Sequence, residues 1–152
     1  MDPSQAARIL SQLVPEVAAE ILAQMEPTKA SLILNLMDKS FVIALAIVDP
    51  AVFASIIEVY AEKDWVRMIH KLPAEVAGDV FPFLQFATAQ KIVEQGVEMG
   101  IAKATADVLN HLGREAGENR VLVGKLVSGL PRTQKAVVYP LLTEEIQAEV
   151  NS

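Results

Sequence analysis

The chain has 152 residues, enough for a single domain with a proper core, and 52% of them are apolar while only 5% are aromatic, so the interior must be built from Ala, Val, Ile and Leu. A formal charge of −6 and a pI near 4.9, with Lys and Arg scattered and never in a run, argue against a nucleic-acid partner. The absence of cysteine excludes disulfides and thiolate metal sites and leaves the cytoplasm as the default compartment.

The opening repeats itself. Asp2-Pro3-Ser4-Gln5-Ala6-Ala7-Arg8-Ile9-Leu10 is followed by Val14-Pro15-Glu16-Val17-Ala18-Ala19-Glu20-Ile21-Leu22 and by Glu26-Pro27-Thr28-Lys29-Ala30-Ser31-Leu32-Ile33-Leu34, with Pro3, Pro15 and Pro27 twelve residues apart. Each unit reads as one short helix with a fixed start and a fixed apolar face. Proline suits the first helical position, and an Asp before it can cap the free amides.

Pairing consecutive helices gives hairpins of 23 to 24 residues that begin at Pro3, Pro27, Pro50 and Pro73. Ile9, Ile33 and Ile56 fall at one position of the hairpin, Leu10, Leu34, Ile57 and Val80 at the next, and Leu13, Met37, Tyr60 and Phe83 close the face, which predicts these as the contacts between helices. Second helices are expected over Glu16–Met25, Lys39–Val48, Lys63–Lys71 and Ala87–Gly96. Helices of about nine residues do not persist alone, because nucleation costs more than so few hydrogen bonds return, so they must stack on neighbours.

The run Phe41–Val48 continues past Asp49-Pro50 to Ala51–Ile57 and is the one stretch with membrane-like hydropathy. A carboxylate and a proline interrupt it well short of the roughly 20 apolar residues a span needs, so it reads as a helix buried on nearly all sides. No secretory leader is recognisable. The abrupt Met1-Asp2-Pro3 start suggests either a very compact protein or a piece cut from a longer chain.

Leu72-Pro73-Ala74-Glu75-Val76-Ala77-Gly78-Asp79-Val80-Phe81-Pro82-Phe83-Leu84 has an echo in Leu130-Pro131-Arg132-Thr133-Gln134-Lys135-Ala136-Val137-Val138-Tyr139-Pro140-Leu141-Leu142. Both prolines, the outer leucines and a valine match. Between them, residues 95–129 form an irregular section carrying Gly96, Gly100, Gly113 and Gly117, with helices expected over Met99–Leu112 and Asn119–Val127 and a loop over Gly113–Glu118. Thr143 caps a terminal helix through Val150. The organisation expected is one helical-repeat domain over 1–152: four regular hairpins to residue 94, an irregular longer hairpin over 95–129 and terminal capping helices over 130–152.

The run Pro15-Glu16-Val17-Ala18-Ala19-Glu20-Ile21-Leu22-Ala23-Gln24-Met25-Glu26-Pro27 resembles the amino-terminal intracellular domain of MgtE-type magnesium transporters. The proline start with Ala-Ala and Ile-Leu is shared by the middle domain of the flagellar rotor protein FliG and the carboxyl-terminal part of the stator chaperone MotE. The likeness is good over residues 2–38, weaker to 94 and poor beyond. It implies a right-handed superhelix of short antiparallel helix pairs, of the armadillo or HEAT kind. In the transporters such a domain is a cytosolic regulator whose acidic surface helps hold magnesium. In the motor proteins it is a docking platform. The chain departs from both in having no membrane helices, no second regulatory module and no Glu-His-Pro-Gln motif, and fold transfers better than function.

Carboxylates recur four residues apart at Glu16 and Glu20, Glu58 and Glu62, Glu94 and Glu98, and Glu145 and Glu149. On a helix such pairs share a face and repel, which a hydrated magnesium ion would relieve and which a solvated face also explains. Glu58 and Glu62, with Asp64 beyond, are the candidate ligands. His70 and His111 stand alone without zinc-ligand spacing. No nucleophile motif, phosphate loop or dinucleotide fingerprint appears, so no catalytic residue is assigned. Gly96 and Gly100 either let two helices approach closely or end one helix and admit a bend. Trp65 reads as core or as an exposed interface anchor.

Three functional readings follow. One is a non-enzymatic scaffold that binds protein partners, with Ile9, Leu10 and Trp65 as interaction residues and no cover for the first unit except preceding chain or a second copy. Another is a magnesium-responsive regulatory domain attached to or docking on a membrane protein. The last is a self-assembling subunit in which the first unit stacks on the terminal helices of the next copy.

Overall fold

The structure, a computed structural model, describes residues 2–152. Among them are twelve α-helices and two short 3-10 helices, with no strand, as the all-α expectation requires. α1 (Pro3–Leu10), α2 (Pro15–Ala23), α3 (Pro27–Leu34), α4 (Lys39–Val48), α5 (Pro50–Ile57), α6 (Glu62–Ile69), α7 (Ala74–Val80) and α8 (Phe86–Glu98) begin twelve residues apart at every step except α4 to α5, which takes eleven. α9 (Ala102–Leu112), α10 (Glu118–Ser128), α11 (Arg132–Val138) and α12 (Glu144–Val150) follow.

The starts are written in the sequence. Pro3, Pro15, Pro27 and Pro50 occupy the first turn of their helices, where a missing N–H leaves no acceptor unpaired. The Asp2 carboxylate accepts a hydrogen bond from the Gln5 amide at 3.0 Å and Asp49 one from the Val52 amide at 3.1 Å. Glu26, one methylene longer, makes no such bond. Pro73 and Pro131 depart from the pattern. Both are extended, with ψ of 152° and 147°, and stand one residue ahead of α7 and α11.

The exits repeat as closely as the starts. After α1 the Gln12 amide donates to the Ile9 carbonyl and the Leu13 amide to the Leu10 carbonyl, both at 3.1 Å, and equivalent pairs close the turns after α2, α3, α5 and α6. Asp49 is the exception. With φ −143° and ψ 79° it ends α4 and caps α5 at once, which removes one residue from the period and bends the pair by 119°. The echo between residues 72–84 and 130–142 is a repeated shape: α7 and α11 each run into a 3-10 turn, Phe81–Phe83 and Tyr139–Leu141, and each exits through an extended leucine, Leu84 or Leu142.

Helices pack on the helix two places further along: α1 on α3, α3 on α5, α5 on α7, α7 on α9 and α9 on α11, and likewise α2 on α4, α6 on α8, α8 on α10 and α10 on α12. The fourth and eighth steps of the early helices make the seam, as Ala6 and Leu10, Ala18 and Leu22, Ala30 and Leu34, Val42 and Ala46, and Phe53 and Ile57, all buried. Alanine at the fourth step of α1, α2 and α3 lets the backbones close up, and burying each leucine-sized side chain contributes about 1.5–3 kcal/mol. Ordering the backbone costs about 1–2 kcal/mol per residue, so each short helix depends on its neighbours.

Several expectations are corrected. The apolar run over Phe41–Ile57 is two bent helices, and α4 is not enclosed, since Ile47 is 62% exposed while Val42, Leu45 and Ala46 are buried. No single helix among the described residues is long and apolar enough to cross a membrane. Phe83 sits in a 3-10 turn and faces outward. α9 begins at Ala102 instead of Met99, because Gly100 takes φ +82° and breaks the chain direction first. α6 and α8 each start one residue early, and α8 runs on to Glu98.

Candidate interaction surface

The seventh step of the helices separates two groups. In α3 to α12 it is Ile33, Leu45, Ile56, Met68, Val80, Ile92, Val108, Gly124, Val138 and Val150, and every one is buried. In α1 and α2 it is Ile9 and Ile21, which are 48% and 37% exposed. Those two are the only α-helices with no helix two places before them among the described residues. Ile33 shows what is missing, since α3 packs on α1 and Ile33 borders the same groove as Pro3 and Ala6. The seventh step therefore faces the preceding helix, and α1 and α2 present it unfilled.

Val14 and Val17 are also exposed and continue the line of Ile21 along α2 at helical spacing. Pro3, Ala6, Met25, Lys29, Leu32 and Ile33 line an apolar groove of about 370 Å³ between α1 and α3. Leu10, expected beside Ile9 at the contact, is instead 3% exposed and belongs to the core. The Ile-Leu dipeptide points one side chain backward along the stack and one inward.

The opposite end is finished differently. The eighth step, apolar and buried from Leu10 through Leu109, becomes Lys125 in α10 and Tyr139 and Asn151 just after α11 and α12, and the fourth becomes Lys135 and Gln147 in α11 and α12. Among them Tyr139, Gln147 and Asn151 are bonded together. Asn151 Nδ2 donates to the Tyr139 hydroxyl at 2.6 Å and Gln147 Nε2 to the Tyr139 carbonyl at 2.9 Å. Polar groups of this kind suit a terminal capping unit, although Val137 and Leu141 are also exposed at this end.

Trp65 is half-buried at the fourth step of α6, and its indole N–H donates to the Tyr60 carbonyl at 3.0 Å. It packs against the core and lies away from the open end. Tyr60 in turn reaches back to α3, donating toward the Asn35 side-chain oxygen at 3.0 Å and the Ser31 carbonyl at 3.2 Å. Burial pushes the Tyr60 phenol up to about 12, with Arg67 opposing and Asp64 reinforcing.

Glu58, Glu62 and Asp64 are not on one helical face. Glu58 follows the last residue of α5 and Glu62 opens α6, with a turn between. Each has its own partner. Glu58 Oε2 accepts from the Gln85 amide at 2.6 Å and Oε1 from the Thr88 hydroxyl, so this carboxylate caps α8 from 27 residues away. Glu62 lies 3.7 Å from Lys91 and Asp64 3.5 Å from Arg67. Among the described residues no three Asp, Glu or His side chains converge as a metal-ligand set. The other carboxylate pairs do share helices, on α2, α8 and α12.

His111 Nε2 lies 3.1 Å from Asp79 Oδ1 and 3.0 Å from Arg114 Nη1, tying α9 to α7 and to the following loop. Its ring rests against Gly78, where a Cβ would come within 2.7 Å. His70 caps α6 half-buried, and burial holds its imidazole below the usual value. A polar hollow of about 280 Å³ over the Arg114–Asn119 loop brings no nucleophile and base together.

Sequence reasoning reached Ile9 and missed Ile21, because aligning whole hairpins set α1 and α2 in different columns. The Ile-Leu dipeptide common to both, counted helix by helix, was the available signal. The Glu58 cap had no local signal at all. Comparison of the chain with models of protein families, with curated proteins and with solved structures gave no match.

Proposed function

We propose that this chain is a non-catalytic protein-docking module, a right-handed superhelix of short helix pairs that engages a protein partner in the cytoplasm through its α1–α2 end. The observation that carries the reading is the seventh step, buried wherever a helix precedes it and exposed at Ile9 and Ile21. Apolar side chains that elsewhere in the chain are packed by a neighbouring helix make a surface suited to another helical face. The polar residues at the eighth step of the last helices support the same reading, because the first helices carry leucine there. The proline-started units that resemble transporter and motor docking domains are consistent with it.

A photo-crosslinking residue placed at Ile9 or Ile21, in the cells that make the protein, tests this. Adducts from both positions, and none from the more exposed Ile47 on α4, are expected. Crosslinks from Ile47 at the same yield, or none from Ile9 and Ile21, would overturn the reading.

A further inference from the structure

We propose that His111 is a proton-operated selector that ties α9 either to the loop over residues 113–117 or to α7, and so sets how firmly that loop is held. Two partners compete for one atom. His111 Nε2 has the Arg114 Nη1 donor at 3.0 Å and the Asp79 Oδ1 acceptor at 3.1 Å. A guanidinium only donates and an ionised carboxylate only accepts, while a ring nitrogen carries either a lone pair or a proton. The two bonds are therefore alternatives, and the protonation of the ring chooses between them.

The ring is held in place for that choice. Its side chain is only 20% exposed and rests on Gly78, where a Cβ would come within 2.7 Å of the ring Cδ2, so the imidazole fits because α7 has no side chain there. Arg114 holds the better position on the neutral ring. Its Nη1 is already fixed by donating to the His111 carbonyl at 2.7 Å, and its own carbonyl accepts from Arg120 Nη2 at 2.9 Å, whereas the Asp79 side chain is 61% exposed and free to face water. The neutral ring thus keeps its proton on Nδ1 and accepts from Arg114 through Nε2. A second proton reverses this. The Nε2–H then donates to Asp79 in a charge-assisted bond, and the imidazolium repels the guanidinium beside it. Arg114 leaves, its bond to the His111 carbonyl goes with it, and α7 gains the tie that the loop loses.

No other charged group is bonded to the ring among the described residues. α9 packs on α7, α8, α10 and α11. On α7, Glu75 stands one turn before Asp79, and on α9 itself Asp107 is paired with Lys103. Lys91 and Glu94 of α8 pair with each other. Arg120 of α10 is bonded to the Gly113 and Arg114 carbonyls, and Glu115 and Glu118 line the hollow over the loop. Arg132 and Lys135 of α11 line a separate hollow beside Tyr139.

Nuclear magnetic resonance on the full chain labelled with nitrogen-15 is the test, from about pH 8 to about pH 5, the range in which histidine ordinarily changes charge. The chain has two histidines, so His70→Gln lets the His111 ring nitrogens be read without overlap. At the upper end of the range the neutral ring is expected to carry its proton on Nδ1. As the ring takes up the second proton, the backbone amides of residues 113–117 should shift in step with it and lose order, while the body of α9 keeps its own. Asp79→Asn should displace the ring's transition toward lower pH and Arg114→Gln toward higher pH, and both substitutions are at exposed residues that leave the core intact. A neutral ring protonated on Nε2, loop amides that ignore the ring, or variants that titrate like the wild type would each overturn the inference.

Discussion

Ile9 of α1 and Ile33 of α3 hold the same step of two successive hairpins, and the first is 48% exposed where the second is 5% exposed. The residue type and the local helix are alike, so the difference comes from the neighbour that Ile33 has and Ile9 lacks.

Truncation should read that difference directly. Ile33→Ala leaves a cavity between α1 and α3 and is expected to cost about 2–5 kcal/mol, whereas Ile9→Ala in dilute protein should stay within about 0.5 kcal/mol of wild type. Urea midpoints measured at one low concentration separate the two. Equal losses would mean that Ile9 is already packed within one chain.

Glu58 makes a second case, because its carboxylate stands between α5 and the start of α8. Glu58→Ala strips the Gln85 amide and the Thr88 hydroxyl of their acceptor at once. A lost helix cap costs about 0.5–2 kcal/mol, and a hydrogen bond to a charged group contributes about 1.5–3 kcal/mol, so a loss of about 2 kcal/mol is expected. Glu58→Gln, which keeps one acceptor oxygen, should lose less. If Glu58→Ala tracks magnesium concentration instead of helix stability, the cap is not its role.

How far the sequence discloses this molecule follows the reach of its interactions. Proline at 3, 15, 27 and 50 and the carboxylates of Asp2 and Asp49 act within four residues, so helix starts are legible from local chemistry alone. The one-residue contraction at Asp49 is legible too, as an Asp-Pro step. What Glu58 does is not, because its partners lie across a fold that must be in place first. The pair at Glu58 and Glu62 misleads for a related reason: spacing of four residues implies a shared face only where the helix is continuous, and the turn at residues 58–61 breaks it. Leu10 shows the same limit, since neighbours in a dipeptide diverge by about 100° around a helix.

His70 gives the chain an acid-sensitive element. Burial disfavours the charged imidazole in the folded state, so its folded value lies below the usual 6.5. The unfolded chain then binds the proton more readily, and the contribution, fully present above pH 6.5, is lost as pH falls toward the folded value. Between pH 7.5 and 5 the wild type should lose stability more steeply than His70→Gln, read as the difference between their denaturation midpoints at each pH. Parallel curves would show that His70 titrates alike in both states.

Gly96 and Thr105 set how closely α8 and α9 approach. A Cβ at Gly96 would collide with the Thr105 hydroxyl oxygen, which is held in place by its own bond to the Ile101 carbonyl at 3.0 Å. Forcing a methyl into this contact is expected to cost Gly96→Ala about 1–3 kcal/mol, even though alanine is the better helix former by about 1 kcal/mol. Removing the hydroxyl should relieve it. With Thr105→Ala the two helices regain room, so the double variant is expected to be more stable than the sum of the single losses, and a positive coupling of about 1 kcal/mol or more in a double-mutant cycle is the sign to seek. Additive losses would place the strain of Gly96→Ala in the helix backbone, and the close approach of α8 to α9 would then owe nothing to the glycine.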